Sequence, residues 1–75
     1  MQNRIKKVIA DVLMIDVELL NDESSPETIE DWDSLKQMNI IIALEEEFDI
    51  LLSDDEVIEM LNMELIYTIL KDKIS

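Results

Sequence analysis

The sequence predicts an all-α fold: a small four-helix bundle with a long loop between helices 1 and 2 and a short helix 3. Three observations carry this. Glycine is absent and Pro26 is the single proline, so little in the 75 residues interrupts a helix. Apolar residues make up 48% of the chain but aromatics only 4%, an aliphatic set suited to helix packing. Those apolar residues recur at the three-and-four spacing of amphipathic helices rather than alternating as in strands. A chain of this length buries only about 60% of its unfolded surface. With no Cys and no His, neither disulfides nor a thiolate metal centre supplements the core. One domain, residues 1–75, is expected.

The first helix is read over roughly Gln2 to Met14, because Ile5, Val8, Ile9, Val12 and Leu13 share a stripe that Lys6, Lys7 and Asp11 avoid. A connection from about Ile15 to Asp33 follows, with the polar cluster Asn21-Asp22-Glu23-Ser24-Ser25-Pro26 as its loop signal. Connections this long are uncommon and are usually functional or disordered. Val17, Leu19, Leu20, Ile29 and Trp32 argue for order, as anchors across a helical core. The second helix runs from about Ser34 to Phe48. Ser34 and Gln37 have the S-x-x-Q form of a capping box, and Asp33 is an equally good cap. Ser53-Asp54-Asp55-Glu56 is a second capping box, opening a short third helix toward Val57, Ile58 and Leu61. Asn62 is expected to cap a fourth helix with the buried stripe Leu65, Ile66, Ile69 and Leu70, where Lys71 and Lys73 suit the C-terminal end of the dipole.

The second helix has two apolar faces. At about 100° per residue, Ile40, Leu44 and Phe48 align, with Ile41 beside them, as a core stripe. Leu35, Met38 and Ile42 fall roughly opposite, flanked by Glu45 and Glu46. A helix buried on most sides would look like this. So would a docking surface with apolar contacts at its centre and carboxylates at its rim. The small size of the domain favours docking, since little protein is available to cover both faces.

Charge narrows the function. Nineteen acidic against six basic residues give −13. Such a surface repels phosphate backbones and anionic lipid, so neither nucleic acid nor membrane is an expected partner, whereas basic protein surfaces are. The apolar fraction is too high for disorder. Asp11 and Asp16 interrupt the N-terminal apolar set, so no targeting signal is read and a cytoplasmic monomer is the expectation. The common triads and thiolate nucleophiles are excluded with His and Cys, and phosphate-cradling loops with Gly. The acidic stretch Asn21 to Asp33 lacks the glycine and alternating ligands of a calcium loop, so no metal site is assigned. Catalytic residues are not expected.

Ser34 stands between the long loop and the first turn of the second helix. A phosphodiester there would face free backbone N–H groups and the positive end of the dipole. Asp33-Ser34-Leu35, with Ala43-Leu44-Glu45-Glu46-Glu47-Phe48-Asp49 at the end of the same helix, resembles the signature of the acyl carrier proteins. The similarity extends over nearly the whole chain, from the first helix through Ser53-Asp54-Asp55-Glu56 to the last.

That resemblance implies a non-enzymatic carrier holding acyl intermediates as thioesters on a covalent 4'-phosphopantetheine at Ser34. A phosphopantetheinyl transferase would place it there from coenzyme A, with Asp33 assisting at the transferase's magnesium. Leu35, Met38, Ile42, Glu45 and Glu46 would meet acyl-transferring, condensing or acyl-loading enzymes with basic docking surfaces. The chain departs from the general fatty-acid carriers at Trp32, where those have a small residue, and at Lys36 and Asn39, where they are acidic. Fatty-acid synthesis therefore shares the field with specialised polyketide or lipid synthesis. An aminoacyl or D-alanyl carrier is an alternative, as is an unmodified acidic adaptor, which would leave Asp33-Ser34-Leu35 unexplained. Any acyl cavity would be sought among Ile40, Ala43, Leu44, Ile58 and Ile66.

Overall fold

A computed structural model describes residues 2–74. Its elements are α1 (Gln2–Leu13), a 3₁₀ turn (Val17–Leu19), α2 (Ser34–Phe48), α3 (Asp54–Glu59) and α4 (Met63–Ile74), with no strand among the described residues. The expected all-α architecture, with its long first loop and short third helix, is the observed one. Among the described residues no helix is long and apolar enough to cross a membrane.

Both α1 and α2 end on a left-handed residue, a position usually given to glycine. Met14 has φ 59° and Asp49 φ 54°. In each case the next N–H reaches five residues back: Ile15 to the Ala10 carbonyl at 3.1 Å, and Ile50 to Glu45 at 3.1 Å. Met14 has thus already left the helix that the spacing extended to it.

The core is continuous. Ile5, Ile9 and Leu13 of α1 meet Ile40, Ile41 and Leu44 of α2, and Met63, Ile66 and Leu70 of α4 close the third side. Phe48 packs at the edge of this cluster, with the Arg4 guanidinium 4.6 Å over its ring and hydrogen-bonded to Glu47 at 2.8 Å. In α4 the stripe is displaced from expectation: Leu65 is exposed, while Met63 and Tyr67 are buried.

The long loop is ordered. Leu20 and Trp32 are buried and Ile29 packs beside them. Val17 and Leu19, expected as anchors, are exposed instead. They lie in a single 3₁₀ turn, which turns only part of its circumference to the core, and Leu20 just after it takes that place. The loop also serves α4. The Ser24 and Asp22 carbonyls accept the N–H groups of Met63 and Glu64 at 2.9 and 3.1 Å, and Asn62 Oδ1 accepts that of Leu65 at 2.9 Å. These satisfy donors that a helix start leaves without intrahelical partners.

α3 is tied at its N-terminal end. Its capping box is formed: Ser53 Oγ accepts the Glu56 N–H at 3.2 Å, and Glu56 Oε1 accepts the Ser53 N–H at 2.9 Å. The same Glu56 oxygen takes Lys73 Nζ of α4 at 2.8 Å. Val57 packs on the core, while Ile58 and Leu61 face solvent.

Candidate functional site

At the head of α2, two adjacent residues divide the work. Asp33 is extended at φ −104°, ψ −174° and is the N-cap, its Oδ1 accepting the Lys36 N–H at 2.8 Å. Ser34 is therefore the first helical residue, and the Ser34–Gln37 capping box does not form. Gln37 has other partners: its Oε1 accepts the Trp32 indole N–H at 2.6 Å and its Nε2 donates to the Met60 carbonyl at 3.1 Å. Ser34 is exposed, and its hydroxyl makes no hydrogen bond among the described residues. Asp33 is exposed too, and among the described residues one of its carboxylate oxygens, Oδ1, is engaged.

Ser34 opens on a cleft of about 490 Å³ lined by Pro26, Glu27, Asp33, Ser34, Gln37, Met38, Val57, Met60 and Leu61. One wall is the head of α2, the other is α3 and the turn after it. The lining is mostly apolar. None of Ile40, Ala43, Leu44, Ile58 and Ile66, the expected lining of an acyl cavity, lines this cleft. Ile40, Leu44 and Ile66 are consumed by the core, and Ile58 is 69% exposed.

The second apolar face of α2 is uncovered: Leu35 is 70% exposed, Met38 53% and Ile42 50%. That removes the reading of α2 as a helix buried on most sides. Glu46 is exposed beside this face. Glu45 is not equivalent, because it is half-buried and its Oε2 accepts the Leu52 N–H at 2.8 Å, pinning the segment that follows α2. Local spacing places Glu45 at the rim but does not show this partner seven residues ahead. Lys36, one of the departures noted above, is half-buried and aims Nζ at the Val12 carbonyl, 3.5 Å away at the C-terminal end of α1. α1 has no basic residue in its own last turn, so Lys36 supplies the cation that the dipole favours there. Asn39 is exposed. No group of three or more acidic side chains is arranged to hold a metal among the described residues.

The arrangement suits a tethered group rather than a turnover site. A phosphate on Ser34 Oγ would sit at the start of a helix whose first N–H groups are not all capped. A chain extending from it would find an apolar cleft alongside.

No family model matches the chain. Individual relatives do. An acyl carrier protein of Buchnera aphidicola (subspecies Schizaphis graminum) is 43% identical over 56 residues, covering 73% of this chain and 70% of that protein. One from Picosynechococcus is 40% identical over 53 residues, 71% of this chain and 65% of the relative. Among solved structures, the solution structure of a holo acyl carrier protein from Geobacter metallireducens superposes with a TM-score of 0.86 over 96% of this chain and 83% of that one, at 26% identity. Sequence and fold agree: this chain belongs to the acyl carrier proteins, a family of carriers and not of enzymes.

Proposed function

We propose that Ser34 carries 4'-phosphopantetheine and that the chain presents acyl groups, as thioesters on that arm, to the enzymes that make and use them. The observation that carries the reading is the unbonded, exposed Ser34 hydroxyl beside an apolar cleft, left free because Asp33 caps the helix. Loading forms a phosphodiester at Ser34 Oγ and breaks the phosphoanhydride of coenzyme A. Adenosine 3',5'-bisphosphate leaves, and the hydroxyl proton goes to a base of the transferase. The unengaged carboxylate oxygen of Asp33 is available to a magnesium ion brought by that enzyme. The arm supplies the terminal thiol that a chain without Cys lacks.

Leu35, Met38 and Ile42 form the apolar centre of the partner surface and Glu46 its acidic rim, while the −13 charge steers basic partners toward it. Glu45 contributes charge, but its carboxylate is held by Leu52. The partners are a phosphopantetheinyl transferase and acyl-transferring, condensing or acyl-loading enzymes. Fatty-acid or specialised polyketide and lipid synthesis is the setting, and the departures at Trp32, Lys36 and Asn39 give the specialised branch at least equal standing.

Intact mass after incubation with coenzyme A, magnesium and a broad-specificity transferase tests the attachment. One phosphopantetheinyl group is expected on the parent and none on Ser34→Ala. Addition to the Ser34→Ala chain would overturn the assignment.

A further inference from the structure

Besides the packing of Val57 and Met60 on the core, one wall of the cleft beside Ser34 is hydrogen-bonded to α2 through a side-chain amide. α3 is six residues long, and Met60 leaves it at φ −81°, ψ 65°. Met60 is 1% exposed, so its carbonyl lies beyond the helix in a place where an unpaired acceptor is costly. Gln37 Nε2 supplies the donor from α2 at 3.1 Å. The other end of that amide takes the Trp32 indole N–H at 2.6 Å, and Trp32 is itself buried. An indole only donates and a carbonyl only accepts, so one orientation of the Gln37 amide satisfies both. The relay therefore joins the residue two before Ser34, the first turn of α2 and the end of α3. The opposite end of α3 is fastened separately, by Glu56 to Lys73 of α4.

We infer that Gln37 is a positioning residue that holds the C-terminal end of α3 against the head of α2 and so sets the width of the cleft that opens on Ser34. Gln37, Met60 and Ser34 all line that cleft, so loosening the amide widens it next to the attachment point while Glu56 keeps the far end of α3 in place. Its functional meaning, shelter for the part of the cargo nearest the arm, rests on Ser34 being the attachment site. The mechanical claim does not.

The test is amide hydrogen exchange on the unloaded chain. In Gln37→Met, of equal reach without the amide, exchange at Met60 and Leu61 should quicken about tenfold, while Ile9 of α1 and Ile66 of α4 keep the parent rate. Gln37→Glu retains the acceptor for Trp32 but not the donor to Met60. It should match Gln37→Met at Met60 while holding the indole N–H resonance of the chain's one tryptophan near its parent position. On chains loaded with phosphopantetheine and a butyryl group, the Gln37→Met thioester should react with hydroxylamine several-fold faster than the parent's. Unchanged exchange at Met60 overturns the inference, as does a speed-up shared equally by Ile9 and Ile66, which would make Gln37 a general stabiliser. Failure of the parent to load would sink the attachment reading, and exchange on the unloaded chain would still decide the role of Gln37.

Discussion

The Asp33 carboxylate accepts the Lys36 N–H at 2.8 Å, and this bond frees the neighbouring Ser34 hydroxyl. Were Ser34 the cap, attaching a bulky phosphodiester to it would take a stabilising contact from the helix. With Asp33 in that place, modification and capping do not compete.

The two residues should therefore separate in mutagenesis. Asp33→Ala removes the cap and should cost about 1 kcal/mol of stability. Ser34→Ala, exposed and unbonded, should stay within about 0.5 kcal/mol of the parent while losing all loading. Urea denaturation alongside intact mass separates the outcomes. A Ser34→Ala chain as destabilised as Asp33→Ala would mean that the hydroxyl caps after all.

Acid should loosen α3 in a defined window. The Lys73 ammonium first, and then the Ser53 N–H, hold the Glu56 carboxyl at about 2 against an ordinary 4.5. A folded-state value below the unfolded one means that the native state binds this proton more weakly. The stabilisation is thus present above about pH 4.5 and lost as pH falls from there toward about 2. Lys73→Met should raise the Glu56 value toward the ordinary range. Glu56→Gln should remove this step from the pH dependence of the melting temperature. NMR titration of Glu56 reads the value directly, and a parent midpoint near 4.5 would show that the Lys73 pair does not persist in solution.

Much of this was legible in the chain, and what was not has a common cause. Helical spacing located all four helices, and Ser53, Glu56 and Asn62 marked two starts correctly, because capping depends on residues within one turn. The head of α2 was ambiguous because Asp33 and Ser34 both suit a cap. What settled it was Gln37, drawn off to Trp32 and to Met60, 23 positions away. Local pattern puts Glu45 at the rim and makes Leu19 an anchor for the same reason: each side chain's fate depends on a backbone path that such pattern does not encode.

The two faces of α2 should answer differently to truncation. Ile40 and Leu44 are 0% exposed, so Ile40→Ala or Leu44→Ala should cost about 2–5 kcal/mol. Met38→Ala and Ile42→Ala leave little cavity and should stay within about 0.5–1 kcal/mol. Their effect should appear in the apparent affinity for partner enzymes, where apolar contact is lost. A fall in melting temperature for Met38→Ala as large as that for Leu44→Ala would place Met38 in the core.

The left-handed residues give a prediction of opposite sign. Left-handed backbone costs a non-glycine residue roughly 1–2 kcal/mol, and less for Asp, whose short polar side chain tolerates it. Met14 at φ 59° has no such relief, and its side chain is almost wholly in solvent, so little packing is lost with it. Met14→Gly removes the steric penalty but adds freedom to the unfolded chain, leaving a net gain of about 0.5–1 kcal/mol. Asp49→Gly, at φ 54°, should gain less. The order of the two gains in denaturant midpoints is the informative result. Destabilisation by Met14→Gly would mean that α1 does not end on a left-handed residue in solution, and the Ile15–Ala10 bond that closes the helix would fall with it.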